Sequence, residues 1–128
     1  MTIQRFEELE IWKNARVLHT KIREIGNNTL LSKDYGLKDQ INRSSGSVMD
    51  NIAEGFERDG KKEFLQFLYI SKGSLGETRS QLHRCFDAGY LNKDDYERLI
   101  NDCLQLSAQI KKFINYLAAS DFAGHKKK

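Results

Sequence analysis

Four stretches of the chain carry apolar side chains at alternating spacings of three and four residues, with short polar breaks between them. That alternation keeps side chains on one face of an α-helix, whose turn is about 3.6 residues. The first stripe is Ile11, Ala15, Leu18, Ile22 and Ile25; the second is Leu37, Ile41, Ser44 or Ser45, Val48, Ile52 and Gly55. The third is Phe64, Leu68, Ser71, Leu75, Thr78, Leu82 and Cys85, and the fourth is Tyr96, Leu99, Cys103, Leu106, Ile110, Phe113 and Leu117. The chain contains no proline, which favours long unbroken helices over a loop-rich or all-β fold. The stripes predict helices over about 7–25, 34–56, 61–87 and 93–118. Gly26, Asn27 and Asn28 are expected to end the first, Ser32 to cap the second and Gly89 to stop the third. The fourth is expected to start after Asn92, with Asp94 and Asp95 in its positive first turn. A strict seam on each helix is the pattern of a left-handed bundle, and short connections make neighbours antiparallel. The expected fold is all-α: a single antiparallel, up-down four-helix bundle over 1–120, followed by a mobile basic tail over 121–128.

A chain of 128 residues fits one domain and one ordinary core. Apolar residues at 39% and charged residues at 30% describe a globular protein rather than a disordered one. Lys126, Lys127 and Lys128 account for the whole excess of 21 basic over 18 acidic residues, so the body is neutral. Residues 1–12 hold four charged side chains and no apolar run, so no signal peptide is expected there. No run approaches the length that spans a membrane. A cytoplasmic setting is therefore expected, with Cys85 and Cys103 as free, buried thiols on the third and fourth stripes. A disulfide between them is the lesser alternative.

Polar residues inside the second and third helices form the main candidate cluster. Ser47, Asn51 and Glu54 share one face of the second helix; Gly73, Ser74 and Glu77 sit together on the third. If the two helices pack, these residues are expected to form a register-fixing polar layer that also allows close approach. The rival reading is acid–base chemistry by Glu54 and Glu77, which needs a pocket and a shifted pKa. No catalytic residue is assigned on this pattern. A di-metal carboxylate site needs glutamate three residues before histidine, and His19, His83 and His125 lack it. No metal site and no cofactor are expected. Gly73 to Gly76 lies inside a periodic helix, so it is not a phosphate loop.

Basic residues concentrate in the third helix, where Lys61, Lys62, Lys72, Arg79 and Arg84 are candidates for nucleic-acid binding. Lys72, Arg79 and His83 share one outward stripe. A solvated helix face is the plain alternative, whereas a ring of identical subunits would repeat and sum the charge. Trp12, Phe67, Tyr69 and Ile70 lie off the seams and are candidates for an oligomer interface or for a wide core-facing sector.

Several segments together resemble a known family. They are Phe6-Glu7-Glu8-Leu9 with Ile11-Trp12-Lys13; Tyr35-Gly36-Leu37 with Gln40-Ile41 and Arg43-Ser44; Ser47 with Asn51-Ile52-Ala53-Glu54-Gly55; Lys62-Glu63-Phe64 with Phe67-Leu68; and Lys72-Gly73-Ser74 with Glu77 and Gln81-Leu82. In this order they resemble the four-helix-bundle family encoded by intervening sequences of 23S ribosomal RNA genes. That family is related to accessory variability determinants of diversity-generating retroelements. The resemblance implies a ring, a homopentamer, with no known enzymatic activity. For the retroelement branch it implies binding of nucleic acid and of a reverse transcriptase. The expectation is a non-enzymatic, ring-forming scaffold that associates with RNA, DNA or a ribonucleoprotein. The alternative is a protein–protein interaction scaffold without nucleic-acid binding.

Overall fold

The computed structural model describes residues 2–121. They form four long helices: α1 (Glu10–Asn28), α2 (Tyr35–Glu57), α3 (Lys61–Asp87) and α4 (Lys93–Ala119). Phe122 to Lys128, and with them most of the expected basic tail and His125, lie outside the described residues. Each helix touches its neighbours in chain order, and α1 also meets α4. Across every such pair the contacting residue numbers rise on one helix as they fall on the other. On α2 and α3, Ser44 meets Thr78 and Ser47 meets Ser74; on α1 and α4, Asn14 meets Gln109 and Lys21 meets Asp102. The bundle is therefore antiparallel, up and down, as the short connections predict.

The helix boundaries follow local chemistry, with some corrections to the pattern reading. Phe6–Glu8 is a 3-10 turn rather than the start of the first helix, and Leu9 after it is extended and buried. α1 therefore begins at Glu10. It also runs through Gly26, Asn27 and Asn28 instead of stopping there, because none of these adopts a left-handed backbone. Gly26 is buried against the aliphatic stem of Lys38. Ser32 is not the cap of α2. It lies in a second 3-10 turn (Leu30–Lys33), and Asp34 caps the helix by accepting from the Leu37 N–H at 3.2 Å. Asn92 does cap α4, accepting from the Asp95 N–H at 2.8 Å. Gly89 does terminate α3: at φ 83° it lets the Tyr90 N–H reach back to the Cys85 carbonyl at 2.9 Å.

The four seams meet in one core. At one end Phe56 meets Phe64 edge to face and Phe113 packs on Phe64 at a tilt, with centroids 5.9 and 5.7 Å apart. Along α4 the buried residue after Ile110 is Ile114, not Phe113, which lies half-buried at the rim. Cys85 and Cys103 are buried and free. Among the described residues, no helix is long and apolar enough to cross a membrane.

Candidate nucleic-acid interface

The two flanks of α3 face different neighbours, and this divides the sequence-selected residues. On the flank toward α2, a buried polar layer replaces part of the hydrophobic seam. The Ser44 hydroxyl donates to Gln81 Oε1 at 2.6 Å and pairs with the Thr78 hydroxyl at 2.8 Å. The Ser71 hydroxyl donates to the Val48 carbonyl at 2.7 Å. Ser47, Asn51 and Ser74 continue the network outward: Ser74 donates to Ser47 at 3.1 Å, and the Asn51 amide donates to the Ser47 hydroxyl at 2.8 Å.

Glu54, Glu77 and Gly73 are not part of this layer. Glu54 is exposed and pairs with Arg58 at 2.8 Å, and Glu77 is exposed. They sit one step further around their helices, where a charged group keeps its water. Gly73 is exposed and has nothing within 4 Å of where a Cβ would stand. The close-approach glycine is Gly55, packed against Phe67 and Phe64.

On the flank toward α4, Tyr69, Lys72, Leu104, Ser107, Ala108 and Lys111 line a shallow groove of about 450 Å³. None of the six is acidic. The Lys111 ammonium lies over the Tyr69 ring, 5.5 Å from its centroid. No ion pair among the described residues involves Lys72, Arg79 or Lys111. By contrast, Lys21 on the α1–α4 flank is held by Asp102 at 2.9 Å, and Arg43 on α2 by Asp39 at 3.1 Å. Arg79 stands two turns along the same stripe from Lys72, about 10 Å away at 1.5 Å per residue, and is not part of the groove lining.

The other basic candidates lie elsewhere. Lys61 donates to the Ser120 carbonyl at 2.7 Å, at the end of the bundle. Lys62 is exposed near the same end. Arg84 belongs to the α2 flank, where it donates to Gln40 at 2.8 Å. The structure thus brings Lys72 and Arg79 to one face, adds Lys111, and separates Arg84 from them. Pattern reading of α3 alone missed Lys111 and Leu104. Their signal was a second stripe on α4, Leu104, Ala108 and Lys111, at spacings of four and three beside the seam.

The off-seam apolar residues do not share a face either. Trp12 stacks edge-on with Phe6 at 5.2 Å under the Arg16 guanidinium. Phe67 is half-buried beneath Arg58. Tyr69 and Ile70 are about half exposed, at 52% and 50%, on opposite flanks of α3.

The described thiols and imidazoles are buried or hydrogen-bonded. Burial pushes the Cys85 thiol up to about 11 and the Cys103 thiol up to about 12. His19 bonds the buried Ser45 hydroxyl at 2.8 Å, and burial holds its imidazole below the ordinary value, with Arg23 adding to the effect and Asp50 opposing it. His83 bonds the Tyr96 hydroxyl at 2.6 Å, with Phe86 stacked on Tyr96. Among the described residues, no group of three or more His, Cys, Asp and Glu side chains is placed to hold a metal ion.

The fold places the chain among up-down four-helix bundles. The family model for the 23S rRNA-intervening sequence protein matches residues 7–112, and the chain belongs to that family. The fold is also that of a crystal structure from Bacteroides thetaiotaomicron, a protein with unknown function from the S23 ribosomal protein family. The two share 21% identity over 81% of this chain and 97% of that one, with a TM-score of 0.74. No curated protein matches the chain.

Proposed function

We propose that the chain is a non-enzymatic, ring-forming scaffold whose α3–α4 face binds the phosphate backbone of nucleic acid, RNA or a ribonucleoprotein foremost. The observation that carries this reading is Lys72 and Lys111, which line a groove without a carboxylate, with Arg79 further along α3 and none of the three in an ion pair among the described residues. Each cation that meets a phosphate releases counterions, and repetition around a ring sums contributions that are weak in one protomer. A closed ring uses two different patches on each protomer. Exposed Ile70 on α3 and exposed Val17 on the α1–α4 side supply apolar surface on separate flanks. An acid–base role for Glu54 and Glu77 gains no support, since Glu54 is tied to Arg58 and both carboxylates are exposed.

The test is RNA binding by fluorescence anisotropy at about 0.05 M and about 0.15 M salt, alongside native mass. The variant Lys72→Gln/Arg79→Gln/Lys111→Gln is expected to lose affinity and to flatten the salt slope by about 2 to 3. An unchanged slope rejects this surface. The neutral body favours a second reading, a protein-interaction scaffold. It is supported if the wild-type chain assembles but binds no RNA at either salt.

A further inference from the structure

The floor of the α3–α4 groove is not what a phosphate-binding surface alone requires. Leu104 is 48% exposed and Tyr69 52%, and both line the groove together with the two lysines. A duplex presents phosphates and sugars to such a surface and keeps its bases stacked inside, so an apolar and aromatic floor would gain nothing from it. A single strand presents both phosphates and unpaired bases, and bases stack on aromatic side chains whatever their identity. We propose that the groove takes a single strand of nucleic acid, with a base stacked on Tyr69, a neighbouring base packed over Leu104 about 10 Å further along, and phosphates on Lys72 and Lys111. This rests on the nucleic-acid reading above and specifies its ligand.

Three features carry the proposal. Charge complementarity selects an anionic partner, since two lysines and no carboxylate line the groove. Its volume of about 450 Å³ leaves room for a nucleotide-sized group. Lys111 already rests on the Tyr69 ring at 5.5 Å. That contact is weak at an exposed site, so an incoming base displaces the ammonium and leaves it to reach the adjoining phosphate. Ser107, on the same wall, offers a hydroxyl to the sugar or base edge.

The experiment compares three probes of about 12 nucleotides: a mixed-sequence single-stranded RNA, its duplex, and a strand of the same length with abasic positions. The single strand is expected to bind roughly 10-fold tighter than the abasic strand, and tighter than the duplex. Tyr69→Ala should bring the single strand to the abasic level and leave the other two affinities unchanged. Tyr69→Phe, which keeps the ring, should restore the preference. Equal loss for all three probes in Tyr69→Ala, or no preference for the single strand in the wild-type chain, overturns the proposal. The broader reading is judged separately by Lys72→Gln/Lys111→Gln, which should weaken all three probes. If those substitutions weaken binding while Tyr69→Ala has no effect, phosphate binding stands and base stacking falls.

Discussion

A methyl group added to Gly55 would stand 2.7 Å from the Cβ of Phe67, a distance that real Cβ atoms do not tolerate. Gly55 is buried on α2, and Phe67 comes from α3 across the interface. The same methyl would meet the Phe64 ring at 3.1 Å and its carbonyl oxygen at 3.4 Å. A Cβ at the root of a side chain cannot swing aside, so the two backbones must separate. Gly55→Ala should therefore destabilise the bundle by about 1 to 3 kcal/mol, despite alanine's better helix propensity. Urea denaturation measures this, and a variant as stable as the parent would show that the helices can part at no cost.

Gly73 provides the opposite case on the same pair of helices. A Cβ there meets nothing within 4 Å. Gly73→Ala should stabilise an isolated protomer by roughly 0.5 to 1 kcal/mol through helix propensity alone. Thermal unfolding at low protein concentration is the check. A loss of stability coupled to a loss of native mass would place Gly73 in a subunit contact.

Ser44→Ala should cost about 1 to 3 kcal/mol, because it leaves Gln81 Oε1 buried without its donor, while the Thr78 hydroxyl keeps only its bond to the Ser74 carbonyl. Replacing the whole group, Ser44→Ala with Thr78→Val and Gln81→Leu, should recover much of that loss. It should also relax the α2–α3 register, which broadens amide spectra. If the single and triple variants unfold alike, the three residues do not act as one network.

Acid should weaken the fold through His19. Its folded-state pKa is lowered from 6.5, first by burial and then by Arg23, so below 6.5 the unfolded chain binds more protons than the folded one. The contribution is whole above 6.5 and declines as the pH falls from there toward the lowered value. Thermal midpoints between about pH 8 and about pH 5 should therefore drop more for the parent than for His19→Gln. Parallel curves for the two proteins would remove His19 as the source.

Native Cys85 and Cys103 should resist thiol reagents. With pKa values of about 11 and about 12, almost no thiolate exists near neutral pH, and both side chains are fully buried. Labelling should follow global unfolding, speeding up in step with denaturant. Rapid modification of either thiol in the native state would indicate local opening at the α3–α4 interface.

Much of the bundle is legible in the sequence because each helix announces its own buried face locally. Leu68, Leu75 and Leu82 on α3 fall where a three-four period puts them. Helix ends are legible only where one residue has one role: Asn92 and Gly89 do, whereas Ser32 and Asp34 compete for the start of α2, and the carboxylate in reach of the Leu37 N–H wins. The polar layer is legible as a tendency but not residue by residue. Periodicity identifies Ser47, Asn51 and Ser74 as neighbours across α2 and α3, yet cannot tell that Glu54 and Glu77 turn outward while Thr78 and Gln81 turn in. The groove is the least legible feature, since Tyr69 and Lys111 come from different helices and only their packing brings them together.

The first and last described residues lie at one end of the molecule. Thr2 and Ile3 rest against Phe113 and Tyr116 near the end of α4, and Lys61, at the turn between α2 and α3, reaches Ser120 there. The opposite end holds the other two turns, joined where the Tyr90 hydroxyl donates to Asp34 at 2.9 Å. In a ring generated by rotation alone, with the helices running along its axis, residues 2 and 121 of every protomer would share one rim. Such a particle would have a front and a back: one rim would carry the α2–α3 turn beside residues 2 and 121, and the other the two remaining turns, joined by Tyr90 and Asp34.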